Sequence, residues 1–324
     1  MAPTLHWHPD MTRPLRYSQP WQPVEVTART IQGRFLLLPS KMLNSLIAGV
    51  LALGRKKYDV HVYNLVFLSN HFHLLMAGSS PHEISAFMGF VMSNIAREAG
   101  RLHNWRGPFW ERRHRVIPIA DDESLVGRMR YIFENGCKEG LAKHPALWSG
   151  LNAVEALTRG RAIEGMWVDR SGLTRASKCK NSKPKEEDFI TRFELKLDVL
   201  PIWRSVKAEQ RRRIAAEMAE DAAKAAPASA GRATALIADG GLARRDPHHR
   251  PEGVKNGYAP LCHAASKAAR EAFREAYRAF VTIYRAAAEK LRERLPRLGF
   301  PKHAQVLAFS VSGTTMAPYA AASG

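Results

Sequence analysis

The chain has 324 residues and a large positive charge. Its 49 Lys and Arg residues against 30 Asp and Glu give a formal net charge of +19, and a hydrophobic content of 45% excludes a wholly disordered chain. No run reaches the roughly 18 apolar residues of a membrane span. The first ten residues are unlike a signal peptide, so we expect a cytoplasmic, nucleoid-associated protein of bacterial type without a membrane partner. A basic protein gains affinity for nucleic acid by releasing the counterions of its phosphates, so nucleic acid is the first partner to test.

The first half of the chain alternates between strand and helix patterns. Alternating β-branched residues predict strands, and apolar residues at three- and four-residue spacing behind a capping residue predict helices. The predicted strands are 24–30, 60–67, 72–76 and 112–119, and the predicted helices begin after Ser40, Ser80 and Asp121, the last ending between Gly136 and Gly140. This order predicts an α+β fold, a ferredoxin-like split βαβ antiparallel sheet with helices on one face, plus a helical C-terminal extension.

Three regions follow from this pattern. We expect an N-terminal arm over residues 1–23, a folded domain over 24–150, and a basic, mainly helical extension over 151–324. Helices are predicted in the extension at 214–226 and 260–295, with a linker near 227–257 that is rich in Ala, Gly, Arg and Pro. The three cysteines lie far apart, so neither a disulfide framework nor a cysteine zinc site is indicated.

His71 and His73 form the first candidate site. Alternate side chains of a strand share a face, so the two imidazoles are expected to lie a few ångströms apart and could bind one divalent ion. With thirteen histidines in the chain, a chance His-x-His pair is the competing interpretation.

Arg128, Tyr131 and Asn135 form the second candidate. Their spacing places them on a single stripe of the third helix, which the apolar pattern predicts to point away from the core. An ordinary solvated helix face is the alternative.

The third candidate is the segment 101–115, in which arginines alternate with aromatic residues. Arginine binds phosphate and aromatic rings stack on unpaired bases, so this mixture is typical of a surface for single-stranded or hairpin DNA. The alternative buries Phe109 and Trp110 as core residues beneath a basic loop. The candidate DNA-binding residues are Arg101, Trp105, Arg106, Trp110, Arg112, Arg113 and Arg115.

The order of these motifs over about residues 24–150 resembles the single-tyrosine transposases of the HUH class, and among them the REP-associated tyrosine transposases. Residues 70–76 (NHFHLLM) resemble the family's Asn-His-hydrophobic-His-Leu-Leu strand, and residues 107–113 resemble its Gly-x-hydrophobic-aromatic segment. Tyr131 and Asn135 fall where the family has its nucleophile helix.

The resemblance implies a metal-dependent single-strand DNA endonuclease and strand transferase. In this role His71, His73 and Asn135 would hold Mg²⁺ or Mn²⁺ against the scissile phosphate. Tyr131 would attack the phosphorus to give a 5′-phosphotyrosine and a free 3′-OH, with the cation and Arg128 favouring the phenolate. Imidazole does not select Mg²⁺ over Mn²⁺ or Zn²⁺, so the metal identity stays open.

The expected partner is single-stranded or hairpin DNA, and the extension suggests DNA clamping or self-association as a homodimer. The chain departs from the family pattern at Ser69, where Pro is usual, and at Gly136-Cys137-Lys138, which replaces Pro-Val-Arg. Two alternatives stay open: a non-catalytic, domesticated hairpin-DNA-binding protein, and a replication initiator or relaxase of the same superfamily.

Overall fold

The computed structural model describes residues 15–179, 183–225, 245–251 and 259–294. The chain divides into a unit of residues 16–270 and a second unit whose described part is Leu15 and residues 271–294. Most of the predicted N-terminal arm and most of the predicted linker lie outside the described residues. The proposed end of the first domain at residue 150 stays a prediction.

A four-stranded antiparallel sheet organises the larger unit. Its order is β2-β3-β1-β4, so that β1 and β3 are the central strands. The strands are β1 (Val24–Arg29), β2 (Val60–Phe67), β3 (His71–Gly78) and β4 (Arg115–Pro118). This arrangement confirms the predicted α+β class. The fourth strand begins at Arg115, three residues later than predicted.

Side-chain caps fix the starts of the three helices that the sequence predicted. Ser40 accepts a hydrogen bond from the Leu43 amide at 3.0 Å, and Ser80 accepts one from the Glu83 amide at 3.1 Å. Asp121 accepts one from the Ser124 amide at 2.8 Å. These helices are α1 (Lys41–Lys57), α2 (Pro81–Leu102) and α3 (Asp122–Lys138). The last ends within the predicted range, and Gly136 does not interrupt it.

Helices cover both faces of the sheet, whereas the sequence analysis expected them on one face only. Each face has its own hydrophobic core, and alternate residues of β3 contribute to the two cores. Phe72, Leu74 and Met76 pack in the core formed with α1 and α2. Leu75 and Ala77 pack in the core of the opposite face, to which α3 contributes Met129, Ile132 and Phe133. The third helix therefore lies across the face that carries His71 and His73.

Beyond residue 150 the structure contains a two-stranded antiparallel sheet that the sequence analysis did not predict. Its strands pack against α1 and pair along their whole length. The strands are β5 (Ile163–Val168) and β6 (Ile190–Leu195), and the helices of this half are α4 (Val154–Arg159), α5 (Arg170–Ser177), α6 (Ala208–Lys224) and α7 (Lys267–Arg294).

The predicted helix over 260–295 begins seven residues late, at Lys267. In the second unit, α7 brings the rings of Tyr277 and Phe280 to 6.4 Å and those of Phe280 and Tyr284 to 6.0 Å. None of the described helices is both long and apolar enough to cross a membrane.

The close approach of α1 and β5 depends on two glycines. A Cβ atom on Gly49 would overlap the Met166 carbonyl, and one on Gly165 would overlap the Gly49 amide nitrogen. Because the colliding atoms are backbone, neither clash can be relieved by rotating a side chain.

We predict that Gly49→Ala destabilises the protein by about 1–3 kcal/mol, because the added methyl forces α1 away from β5. Gly89→Ala is the matched control, since Gly89 lies on an exposed face of α2 and a Cβ atom there would meet nothing within 4 Å. That change should stabilise α2 by about 0.5–1 kcal/mol. Urea denaturation of both variants measures the difference, and equal effects would contradict the close approach of α1 and β5.

Candidate active site

The two histidines of β3 and one carboxylate of β1 share a face of the sheet. The register pairs Thr27 with His73 and Glu25 with Leu75, and this places Glu25 on the same face as both imidazoles. The ring centroids of His71 and His73 lie 5.2 Å apart. The sequence therefore placed the imidazole pair correctly on one face, and it missed Glu25.

Glu25 is the centre of a buried ionic cluster. Its Oε1 atom lies 2.7 Å from His73 Nδ1, and its Oε2 atom lies 2.6 Å from His263 Nε2. Arg128 Nη1 lies 3.6 Å from the same Oε2 atom. Burial raises the pKa of this carboxyl, but the hydrogen bonds from His263 and His73 outweigh burial and hold the pKa well below its usual range. Glu25 is therefore an anion that accepts from both imidazoles.

These hydrogen bonds determine which nitrogen of each imidazole carries a proton. A carboxylate only accepts, so His73 must donate from Nδ1 to Glu25. His71 Nδ1 lies 2.7 Å from Asn70 Oδ1, and Asn70 donates its own Nδ2 to the Gly33 carbonyl at 3.1 Å. His71 therefore also donates from Nδ1. In the neutral form of each ring, Nε2 keeps its lone pair, which is the state that binds a metal ion.

His71 is neutral at physiological pH. Burial lowers its pKa to about 3, with further contributions from His73 and Arg29. A ring that stays unprotonated in this positive environment keeps its nitrogen available as an acceptor.

The ring of Tyr131 packs edge-to-face against one member of the imidazole pair, His73. Its ring centroid is 5.3 Å from that of His73, with the planes at 77°. The Arg128 guanidinium lies 4.4 Å from the Tyr131 ring centroid, and the Lys138 ammonium lies 5.5 Å from it. The predicted proximity of the phenol to the histidines is therefore present in the structure.

The surroundings of this phenol raise its pKa on balance. Burial raises the Tyr131 pKa and Glu25 raises it further, whereas Arg128 lowers it and offsets this only in part. Arg128 therefore acts in the expected direction, but burial and the Glu25 carboxylate outweigh it.

Asn135 is buried, contrary to the expectation of a stripe pointing away from the core. It is 3% exposed, and its side-chain Nδ2 is buried without a hydrogen-bond partner among the described residues. The reason is that α3 packs against both the sheet and α6, so more than one side of the helix is covered. Asn135 lies one turn after Tyr131, on the same side of α3.

No three His, Cys, Asp or Glu side chains within the described ranges converge on a common metal position. Both oxygens of Glu25 already accept from His73 and His263.

His263 reaches the site from far along the chain. Its amide donates to the Pro118 carbonyl at 2.8 Å, and its carbonyl accepts from the Ala120 amide at 2.8 Å. The amides of Ala265 and Ser266 then donate to Asp121 Oδ2 at 2.9 and 3.1 Å. These bonds fix residues 263–266 at the end of β4 and the start of α3. No local sequence pattern marks His263, whereas a lone carboxylate between Val24 and Val26 was a usable signal for Glu25.

The aromatic residues of segment 101–115 are largely engaged within the protein. Phe109 is buried, and the Trp110 ring centroid lies 5.6 Å from that of Phe72 while its Nε1 donates to the Met92 carbonyl at 3.0 Å. Phe109 is therefore a core residue, as the alternative proposed, and half-buried Trp110 packs against the same core.

The arginines of this segment are at the surface. Arg101, Arg106, Arg112 and Arg113 are exposed, and Arg115 is half-buried on β4. Half-buried Trp105 donates from Nε1 to the Pro108 carbonyl at 3.1 Å, and the Arg34 guanidinium lies 5.3 Å from its ring centroid. The structure thus leaves a basic surface with two half-buried tryptophan rings, those of Trp105 and Trp110.

Comparisons with known proteins found no matching family model and no matching curated protein. Two solved structures are similar to part of the chain. One is the structure of a REP-associated tyrosine transposase bound to a REP hairpin, with 16% identity, 46% of this chain and 86% of that chain covered, and a TM-score of 0.39. The other is a protein of Deinococcus radiodurans R1 provisionally assigned as a transposase, with 16% identity, 38% and 95% covered, and a TM-score of 0.27. Both TM-scores are below 0.5, so we argue function from the residues of this chain.

We predict that His71→Asn weakens the dependence of stability on pH. The folded-state pKa of about 3 lies below the ordinary 6.5, so only the unfolded chain takes up this proton as the pH falls below about 6.5. Acidification below about pH 6.5 therefore lowers the free energy of unfolding through His71, by up to about 1 kcal/mol per pH unit between pH 6 and 5. The variant should lose this contribution in urea titrations with EDTA. The exposed His82→Asn is the control, and an identical slope in both variants would contradict a neutral His71.

Proposed function

We propose that this chain is a metal-dependent single-strand DNA endonuclease and strand transferase of the HUH class, with Tyr131 as its nucleophile. The observation that carries the proposal is the packing of the Tyr131 ring against His73, beside a second imidazole on the same strand face. A phenol adjacent to a pair of imidazoles is an arrangement suited to phosphoryl transfer, whereas a solvated helix face would leave these groups apart.

The donor set fits a divalent cation. His71 and His73 each donate from Nδ1, so the neutral form of each ring has a lone pair on Nε2 that can bind a cation. Asn135 has a buried amide nitrogen without a partner among the described residues, and a bound ion's surroundings would satisfy such a group. We assign His71, His73 and Asn135 as the residues that would hold Mg²⁺ or Mn²⁺. A bound cation would polarise the scissile phosphate as a Lewis acid.

Each step of strand transfer can be assigned to residues of this chain. Tyr131 Oη attacks the phosphorus and gives up its proton as the new Oη–P bond forms. The bond from phosphorus to the 3′-oxygen breaks, and that oxygen takes up the proton that the phenol gives up and leaves as a free 3′-OH. The product is a 5′-phosphotyrosine whose ester bond stores the energy for rejoining. Burial raises the Tyr131 pKa and so favours the protonated phenol before the attack.

Arg128 stabilises the developing charge in this scheme. Its guanidinium lies over the Tyr131 ring and within 3.6 Å of Glu25, so it is held near the nucleophile by two neighbours. The exposed arginines Arg101, Arg106, Arg112 and Arg113 supply contacts to DNA phosphates, and Arg115 lies beside them on β4.

Tyr131→Phe should abolish covalent capture of DNA. With a hairpin oligonucleotide and Mn²⁺, we expect the wild-type protein to form an adduct that survives a denaturing gel, and the variant to form none because it lacks the attacking oxygen. Tyr58→Phe is the matched control, since Tyr58 packs against Phe87 and Phe90 on the opposite sheet face and should leave adduct formation intact.

An undiminished adduct in the Tyr131 variant would remove this residue from its role. Binding of hairpin DNA that is insensitive to EDTA, with no cleavage of any single-stranded substrate by the wild type, would favour the non-catalytic DNA-binding alternative.

Glu25→Gln and His263→Gln should weaken metal binding without removing a ligand. Glu25 fixes the tautomer and orientation of His73, and His263 fixes Glu25, so loss of either is expected to lower Mn²⁺ affinity by about 10- to 100-fold. Electron paramagnetic resonance titration of free Mn²⁺ measures this without any reaction. The exposed Glu123→Gln is the control. Unchanged affinity in both site variants, with folding intact, would exclude a positioning role for Glu25.

A further inference from the structure

A cavity of about 320 Å³ lies on the far side of α3 from Tyr131. It is enclosed by the end of α4, by residues 196–203 and by the first two turns of α6, with Tyr63 of β2 and Met129 of α3 also lining it. Its volume is at the lower end of the range for small-molecule sites, roughly 300–1,000 Å³.

Four cationic side chains and one carboxylate line this cavity. The cations are Arg161, Lys196, Arg211 and Arg212, and the carboxylate is Asp198. Within the described part of the chain, the ion pairs found do not include Arg161, Arg211 or Arg212, whose positive charges therefore face the cavity without a carboxylate partner.

Asp198 does not neutralise these cations, because its carboxylate is already occupied. Arg55 lies 2.7 Å from Oδ2, the Val62 amide donates to Oδ2 at 2.8 Å, and His61 Nδ1 lies 3.0 Å from Oδ1. The carboxylate is thus held from the side of α1 and β2, and the cavity keeps an excess of positive charge.

The three consecutive arginines Arg211, Arg212 and Arg213 lie in two different environments. Arg211 and Arg212 are half-buried and line the cavity, and Arg211 is held by hydrogen bonds to the Val206 and Trp203 carbonyls. Arg213 does not line the cavity, has a side chain 78% exposed, and pairs with Glu217 at 3.4 Å. The sequence alone indicated only solvated charge for all three.

The rest of the cavity lining is apolar and aromatic. Leu157, Leu197, Leu200 and Trp203 supply carbon surface beside the guanidinium groups. A ligand complementary to this surface has a flat, weakly polar part and at least one phosphate, because guanidinium groups bind phosphate oxygens through paired N–H donors. A nucleotide has both parts.

We propose that this cavity binds one nucleotide of the DNA strand, with its phosphate against Arg161 and Arg212 and its base against the apolar wall. This inference rests on the proposed function, since it takes the DNA as the source of the nucleotide. Met129 lines the cavity while the Tyr131 ring packs against His73, so α3 separates the nucleotide site from the nucleophile. The DNA strand would then contact α3 at two places.

The test is the salt dependence of DNA binding. Fluorescence anisotropy with a hairpin oligonucleotide carrying a single-stranded extension gives the slope of log affinity against log KCl, measured in EDTA so that cleavage cannot contribute. For Arg161→Gln combined with Arg212→Gln, we expect the slope to fall in magnitude by about 0.7 for each single-strand phosphate that the variant no longer binds. Arg213→Gln removes the same type of charge outside the cavity and should leave the slope unchanged.

Two further measurements show whether the bound nucleotide belongs to the DNA strand or is free, and exclude a folding defect as the cause of a changed slope. Arg212→Lys keeps the charge and should retain most of the wild-type slope. Titration of the wild type with a mononucleotide tests the free ligand: saturable binding that is abolished in the double variant, with an unchanged DNA slope, would overturn the assignment to the DNA strand.

If the double variant and Arg213→Gln gave equal slopes, and the wild type did not bind the mononucleotide, the proposal that this cavity binds a nucleotide would be wrong. Because these are binding measurements without metal, they stand whether or not Tyr131 forms an adduct. Failure of this proposal and failure of the proposed function are therefore distinguishable.

Discussion

The buried carboxylate of Glu25 is the interaction on which the candidate site depends. An anion on a central strand, 2% exposed, is tolerated only because His73 and His263 donate to its two oxygens and Arg128 lies close by. This carboxylate also determines the tautomer of the neutral His73 ring. By accepting from Nδ1, it places the lone pair of that form on Nε2.

The local parts of the fold were predictable because their determinants are local. The caps Ser40, Ser80 and Asp121 and the alternation along β1 to β3 are encoded within a few residues, and the elements lie where these patterns indicate. The hairpin of β5 and β6 was missed because its half-exposed strands pair with each other and pack on α1 through Gly49 and Gly165, a contact between distant residues that carries no pattern of its own.

For the candidate site, too, the sequence predicted the local features but not the contacts between distant residues. The two-residue period of a strand placed His71 and His73 on one face, and a resemblance in motif order drew attention to Tyr131. Helical periodicity failed for Asn135, because it assumes a helix buried on one side and α3 is covered by both the sheet and α6. His263 comes from more than 180 residues beyond the imidazole pair, and only the folded chain shows that it belongs there.

Asp121 joins two parts of the molecule that the sequence keeps far apart. One of its oxygens receives the Ser124 amide at the first turn of α3, and the other receives the amides of Ala265 and Ser266. A single side chain thus connects the first turn of the helix that carries Tyr131 to the segment that carries His263. A displacement of residues 263–266 would therefore break contacts to the start of α3 and to Glu25 at the same time.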